Sequence, residues 1–269
     1  MTILITNDDG INSEGLRTLR EVLCELGNIF VVAPDRQRSA VGLSITLERP
    51  LRVDDLGENT FSVDGMPVDC VTLAIHRLME SPPDLIVSGI NDGQNLGYDI
   101  LHSGTVGAAF VGTMFGIPSM AVSIANNRFT GETQDTIYYE TAAQMTLKLA
   151  GIISKHRLPA ETLLNVNVPN VPLPEVQGFE ITRHCGATYS IEIHHRLDPR
   201  GKKYYWVGGE FEGESDHPET DINALHSHKV SVTPLRLDLT DYTVMRELSS
   251  WISDENAKAV ETDEDIEVV

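Results

Sequence analysis

Apolar residues fall along this chain in short blocks that alternate between two spacings. Ile3-Leu4-Ile5 is a run of β-favouring residues ended by Asn7-Asp8-Asp9-Gly10, which predicts a buried strand entering a turn. From Glu14 to Leu26 the spacing changes. Leu16, Leu19, Val22, Leu23 and Leu26 recur every three or four residues and Gly27 follows as a stop, the pattern of a helix. Ile29 to Ala33 is a second strand run closed by Pro34-Asp35. A β-loop-α-β sequence is thus complete within about 35 residues, the length of one parallel crossover unit. Val68 to Met79 reads as an amphipathic helix broken by Pro82-Pro83, and Leu85-Ile86-Val87 as a buried strand ending in Ser88-Gly89-Ile90-Asn91. A helix of small residues from Thr105 to Phe115 stops at Gly116-Ile117-Pro118, before a strand from Met120 to Ile124. A helix over Tyr138 to Ile153 and a strand over Leu163 to Val168 extend the alternation. The expected fold class is α/β: a Rossmann-like parallel sheet with helices on both faces.

After Pro169 the texture changes. Pro172 and Pro174 are followed by alternating stretches at Phe179 to Thr182 and Lys203 to Val207, which predict a β-hairpin-rich C-terminal appendage. Val230 to Leu235 is a further strand run, and Tyr242 to Trp251 is a terminal helix. The expected division is a catalytic core over 1–170, an appendage and C-terminal segment over 171–253, and an acidic tail over 254–269 that frays.

Composition narrows the function classes. With 20 Lys and Arg against 40 Asp and Glu, the 269-residue chain carries −20 at pH 7. Such a field repels polyanions and argues against duplex nucleic acid as a partner, although a bound cation inverts it locally for a small phosphorylated ligand. Cys24, Cys70 and Cys185 are widely spaced and form neither a disulfide framework nor a zinc knuckle, so a reducing, cytoplasmic compartment is expected. The start lacks a signal-peptide pattern, and no apolar run reaches membrane-spanning length, so no membrane partner is expected.

In open parallel sheets ligands bind beyond the carboxyl ends of the strands, and four segments lie at such places. They are Asp8-Asp9, the Arg36-Gln37-Arg38-Ser39 loop, Asn91 to Asn95, and Ser103-Gly104-Thr105 at a helix start. Adjacent carboxylates at Asp8 and Asp9 repel unless a proton or cation relieves them. A hard divalent ion does so with the Ser39 hydroxyl and the Asn91 amide oxygen as further oxygen donors. An Asx-turn with Gly10 at a positive-φ position explains the same Asp-Asp-Gly run without any ion. Ser103-Gly104-Thr105 is suited to an anion at a helix N-terminus, although a plain N-cap is the commoner use of such a run. His102 beside it is read as a packed ring rather than a proton donor. No dinucleotide fingerprint, P-loop or nucleophile elbow occurs.

Four segments taken together closely resemble the SurE (survival protein E) family. They are Ile-Thr-Asn-Asp-Asp-Gly at 5–10, Val-Val-Ala-Pro-Asp-Arg-Gln-Arg-Ser at 31–39, Val-Ser-Gly-Ile-Asn-Asp-Gly-Gln-Asn-Leu-Gly at 87–97 and His-Ser-Gly-Thr-Val at 102–106. The resemblance continues through Leu-Asn-Val-Asn-Val-Pro at 164–169, Thr220-Asp221, Val-Ser-Val-Thr-Pro-Leu at 230–235 and Asp-Leu-Thr-Asp-Tyr at 238–242. It implies a metal-dependent 5′-nucleotidase that hydrolyses nucleoside 5′-monophosphates, with 3′-monophosphates as a further candidate substrate. It also implies a homodimer built through a swapped C-terminal segment, a tetramer being the alternative. By motif, Asp8, Asp9, Ser39 and Asn91 match metal ligands for Mg²⁺ or Mn²⁺, with Ca²⁺ as another occupant. Asn95, Ser103, Gly104 and Thr105 match phosphate-proximal positions. Metal-activated water is the expected nucleophile, and Asp8 acting as nucleophile or base is the alternative. A nucleotide sensor without turnover is the rival from another class.

Overall fold

The structure, a computed structural model of the chain, describes residues 1–126, 136–186, 188–209, 211–212 and 217–264. Strand β1 (Thr2–Thr6) leads into helix α1 (Glu14–Leu23), capped by Ser13, whose hydroxyl accepts from the Leu16 N–H. The helix buries Gly15, Leu16, Leu19, Val22 and Leu23 along one stripe, as its spacing requires. The chain then returns as β2 (Asn28–Pro34). A pair absent from the sequence reading follows, β3 (Val53–Asp55) and β4 (Thr60–Val63). Helix α2 (Pro67–Leu73) passes into a π-helical turn over Ala74–Leu78, so the predicted helix is present but changes its winding half-way. Then come β5 (Leu85–Asp92), α3 (Gly104–Met114), β6 (Ser119–Ile124), α4 (Tyr139–Ile153) and β7 (Thr162–Val168).

The strand order β3-β4-β2-β1-β5-β6-β7-β13-β8 describes one nine-stranded sheet, in which β8 is Phe179–Ile181 and β13 is Val230–Arg236. From β4 to β7 every neighbour pair is parallel. The sheet as a whole is mixed, because β3 runs antiparallel to β4 and β13 antiparallel to β7. Two strands from beyond Pro169 therefore complete the main sheet. The rest of that region forms the two-stranded pairs β9 (Thr188–Tyr189) with β12 (Phe211–Glu212) and β10 (Glu192–Leu197) with β11 (Lys203–Gly208). The short helix α5 (Asp221–His226) lies between β12 and β13.

Alternation along the strands divides the core. Ile3 and Ile5 of β1 join Leu16 and Leu19 of α1 and Ala142, Met145 and Leu149 of α4 in one cluster. Leu4 between them joins Val68 and Val71 of α2 and Ala108 and Val111 of α3 in another. A period of two in the strands thus feeds two helical layers. Small residues set the spacing. A Cβ on Gly15 of α1 would lie 2.3 Å from the Ile90 carbonyl oxygen, and one on Gly107 of α3 would lie 2.4 Å from the Gly42 carbonyl oxygen.

Residues 238–269 form a separate compact unit holding α6 (Tyr242–Glu264). Asp241 caps it, its Oδ1 accepting from the Thr243 and Val244 N–H groups at 2.9 and 3.0 Å. The helix runs on past Asp254, where the acidic stretch begins. No helix among the described residues is long and apolar enough to cross a membrane.

Candidate active site

Strand β1 is flanked by β2 on one side and β5 on the other, so the chain reverses its direction of travel across the sheet at β1. The crevice beyond the carboxyl ends of β1 and β5 is the topological switch point, where open α/β sheets bind ligands. Asn7 to Gly10 lie at one lip and Asn91-Asp92 at the other.

Asn7 builds the first lip. Its Nδ2 donates to the Gly10 carbonyl at 3.0 Å and to Ser13 Oγ at 2.6 Å, and its Oδ1 accepts from the Gly10 N–H at 3.1 Å. Gly10 adopts φ +99°, and a Cβ there would lie 2.9 Å from the Arg36 carbonyl carbon. The Asx-turn is therefore real, but Asn7 makes it, which releases the carboxylates of Asp8 and Asp9 from any turn-forming duty. The β2 loop closes over this turn, with the Arg38 N–H donating to the Asp8 carbonyl oxygen at 2.6 Å and bringing the backbone next to Ser39 against β1.

Asp8 is buried and rests on the start of α3. Its Oδ1 accepts from the Thr105 hydroxyl, and the Thr105 and Gly104 amides also donate to its carboxylate. A Cβ on Gly104 would come 2.9 Å from Asp8 Cβ and 3.0 Å from Oδ2, so only glycine permits this approach. Burial pushes the Asp8 carboxyl above its ordinary range, against the Thr105 and amide donors that pull it down. Asp9 is less enclosed. Its Oδ2 accepts from the Asp92 N–H at 3.1 Å, and burial, with the charges of Asp8 and Asp92, raises its pKa to about 6.

The second lip depends on a bulge. Between Ser88 and Asn91, β5 carries one more residue than its partner β6, and a Cβ on Gly89 would lie 2.3 Å from the Val122 carbonyl oxygen. Such a bulge re-aims the side chains that follow it. Asn91 Nδ2 donates to the Gly93 carbonyl at 2.6 Å, which fixes the amide so that its oxygen is the end left for another partner. Ser39 is exposed, and its hydroxyl accepts from Gln37 Nε2 at 2.9 Å.

Other predicted positions have protein partners of their own. Ser103 is the N-cap of α3, its hydroxyl accepting from the Val106 N–H at 3.1 Å. Asn95 sits in a buried carboxamide network. Its N–H donates to Asn167 Oδ1 at 2.8 Å, its Nδ2 to Ser123 Oγ at 2.7 Å, and its carbonyl accepts from Asn165 and Asn167 at 2.9 and 3.0 Å. The structure thus joins Asp8 directly to Gly104 and Thr105, and Asp9 to the backbone beside Asn91.

The site's charge decides its chemistry. No Lys, Arg or His pairs with Asp8 or Asp9 among the described residues, and Arg36 and Arg38 in the adjoining loop turn to Asp35 instead, at 3.8 and 3.1 Å. Two neighbouring carboxylates, Asp8 buried and Asp9 partly buried, without a cationic side chain and beside hydroxyl and amide oxygens, match the needs of a hard divalent cation. Among the described residues no three His, Cys, Asp or Glu side chains gather as a metal cluster.

The family described as Survival protein SurE matches residues 3–191. The chain belongs to the SurE family. It is 46% identical over 258 residues to a protein of Moorella thermoacetica named 5′-nucleotidase SurE, covering 94% of this chain and 96% of that one. A protein of the same name from Pelobacter propionicus is 44% identical, with 94% and 100% covered. The crystal structure of the SurE protein from Aquifex aeolicus superposes with a TM-score of 0.82 at 40% identity, over 93% of this chain and 99% of that one.

Within this SurE fold, two residues at the site, Asp92 and Asn167, lie in segments marked by sequence without being singled out there. Asp92 holds Asp9 through its N–H, accepts from Asn126 Nδ2 at 3.2 Å, and accepts from the Tyr139 hydroxyl, whose pKa is raised mainly by burial. Asn167, from β7, fastens Asn95. Polar residues inside the otherwise apolar run Leu163 to Val168 were the one signal for the last of these.

Proposed function

We propose that this protein is a divalent-cation-dependent phosphomonoesterase that hydrolyses nucleoside 5′-monophosphates to nucleoside and phosphate, with 3′-monophosphates as a further substrate class. The observation that carries the reading is the Asp8-Asp9 pair, one carboxylate buried and the other partly buried, at the switch point without a cationic side chain. Membership of a family whose relatives are named 5′-nucleotidases supports the substrate class.

Asp8, Asp9, Ser39 and Asn91 would hold Mg²⁺ or Mn²⁺, with Ca²⁺ as another occupant. When bound, the ion supplies charge neutralisation at a phosphoryl oxygen and acidifies a water molecule. Three donors from the α3 turn converge on Asp8 and fix its carboxylate as a ligand, which favours water as the attacking group. Asp9, the more accessible carboxylate, would take the proton of that water and return it to the departing ester oxygen, releasing the nucleoside. The N-terminus of α3, opened by Ser103, Gly104 and Thr105, lays its positive dipole end toward the phosphate charge, and Asn95 sets the loop before it. A homodimer in the cytoplasm, with a tetramer as the alternative, completes the proposal. Exposed Tyr205 and Trp206 on β11 support self-association.

The test is phosphate release across nucleoside monophosphates with Mg²⁺, Mn²⁺, Ca²⁺ and chelator. Turnover is expected to vanish on chelation, return with metal, and be absent in Asp9→Asn. Full turnover after thorough metal removal refutes the cation requirement. Nucleotide binding without phosphate release under every metal condition would establish a sensor instead.

A further inference from the structure

The loop that carries Ser39 also forms one wall of a cavity of about 640 Å³, lined by Arg36, Arg38, Arg49 and Arg52 together with Thr46 and Asp64. Four guanidinium groups on one cavity invert the local field in a chain of net charge −20. Acidic neighbours offset part of this. Asp64 Oδ2 pairs with Arg49 at 3.0 Å, Asp35 takes Arg38 and more distantly Arg36, and Glu48 lies in the lining. A positive surplus remains with all three carboxylates counted.

Donors are left over as well. Arg52 is exposed, and beyond the charge it sets beside Asp64 its side chain makes no hydrogen bond or salt bridge among the described residues. Arg38 Nε is buried without a hydrogen-bond partner, although Nη2 of the same guanidinium donates to Asp35 and to the Asp64 carbonyl. A buried donor of this kind is costly until an acceptor meets it, and planar guanidinium forks match phosphate oxygens in pairs. Arg38 also ties the cavity to the reaction centre, since its own N–H donates to the Asp8 carbonyl oxygen.

We propose that this cavity is a second phosphate subsite, which selects nucleotides bearing a phosphate besides the one hydrolysed, such as nucleoside 3′,5′-bisphosphates. The proposal rests on the phosphomonoesterase reading for its substrate, and on the arginine cluster alone for its binding chemistry. A phosphate dianion from solution would satisfy the same donors, so the experiment has two arms. In the first, kcat/KM is compared for adenosine 5′-monophosphate and adenosine 3′,5′-bisphosphate in wild type, Arg52→Gln and Arg49→Gln. Wild type is expected to favour the bisphosphate by about tenfold, and each variant to lose that preference while turning over the monophosphate as wild type does. Arg52→Lys should restore part of it.

In the second arm, inorganic phosphate is titrated calorimetrically into Asp9→Asn with and without Arg52→Gln. Binding that depends on Arg52 without a bisphosphate preference confirms the subsite and assigns it to free phosphate. No preference and no Arg52-dependent binding overturns the proposal. Failure of the nucleotidase reading appears separately, as absent turnover of every monophosphate, and the phosphate titration still decides the cavity.

Discussion

Asp221 offers the sharpest test of how the fold holds the loops around the site. Its carboxylate is fully buried and accepts three backbone N–H groups, from Cys185 at 2.8 Å, Ile222 at 2.9 Å and Gly97 at 3.0 Å. One side chain therefore fastens the start of α5 to the stretch after β8 and to the loop that follows Asn95. Asp221→Ala removes the acceptor and leaves three buried donors. An orphaned buried amide costs about 1–3 kcal/mol, so the sum reaches about 3–9 kcal/mol before relaxation, and about 4 kcal/mol is expected once water enters the space. Asp221→Asn is milder. Its carbonyl oxygen can keep the two bonds made by Oδ1, while its NH₂ confronts the Gly97 N–H, for a loss of about 2 kcal/mol. Urea denaturation at pH 7, followed by circular dichroism, reads both values. A loss below about 1 kcal/mol in Asp221→Ala, with an unchanged m-value, would refute the three-donor account.

Further outcomes follow from the same geometry. The Asp9 carboxyl sits at about 6 in the fold against 3.8 when free, so the cation-free fold binds that proton more tightly than the unfolded chain does. Its stabilisation, about 3 kcal/mol, is complete below pH 3.8 and is lost as pH rises through 6, so the thermal shift on adding Mn²⁺ should grow from pH 5 to pH 7 and then level off. A Mn²⁺ shift independent of pH across that window would contradict it. Thr105→Val deletes the hydroxyl donated to buried Asp8 and should lower kcat about tenfold and stability by about 2 kcal/mol, with Thr105→Ser restoring most of both. Gly104→Ala puts a methyl group 2.9 Å from Asp8 Cβ, and steady-state kinetics should show a loss of about a hundredfold in kcat with the fold retained by circular dichroism.

Much of the fold was legible because each buried layer leaves a period in the sequence. The run Ile3-Leu4-Ile5 has consecutive apolar residues since both faces of β1 are covered, and α1 shows its stripe since only one face is. Elements with little burial leave no such trace. Strand β3 is exposed throughout, and its residues read as a polar stretch without period. The mixed direction of the sheet was also hidden, because Val230 to Arg236 buries four consecutive residues whichever way it runs. At the site, Asp8 and Asp9 were conspicuous by adjacency. The partition of labour between Asn7, which makes the turn, and the aspartates, which do not, depends on side-chain directions that spacing does not encode. Asp92 lay in a marked segment, yet its contact with Asp9 could not be read, since its N–H reaches Asp9 across 83 residues.

The fastening of the loop after β5 also sets a timetable for biosynthesis. The Asn95 N–H finds its acceptor in the side-chain oxygen of Asn167, 72 residues later in the chain, and the Gly97 N–H waits for Asp221, 124 residues later. At ribosomal speeds of about 5–20 residues per second, that second interval lasts on the order of ten seconds. During it the nascent chain can already lay down β1 and β2, yet the loop's N–H groups have nothing to bind but water. The amino-terminal strands are made early, and the loop between β5 and α3 is among the last parts of the protein to set.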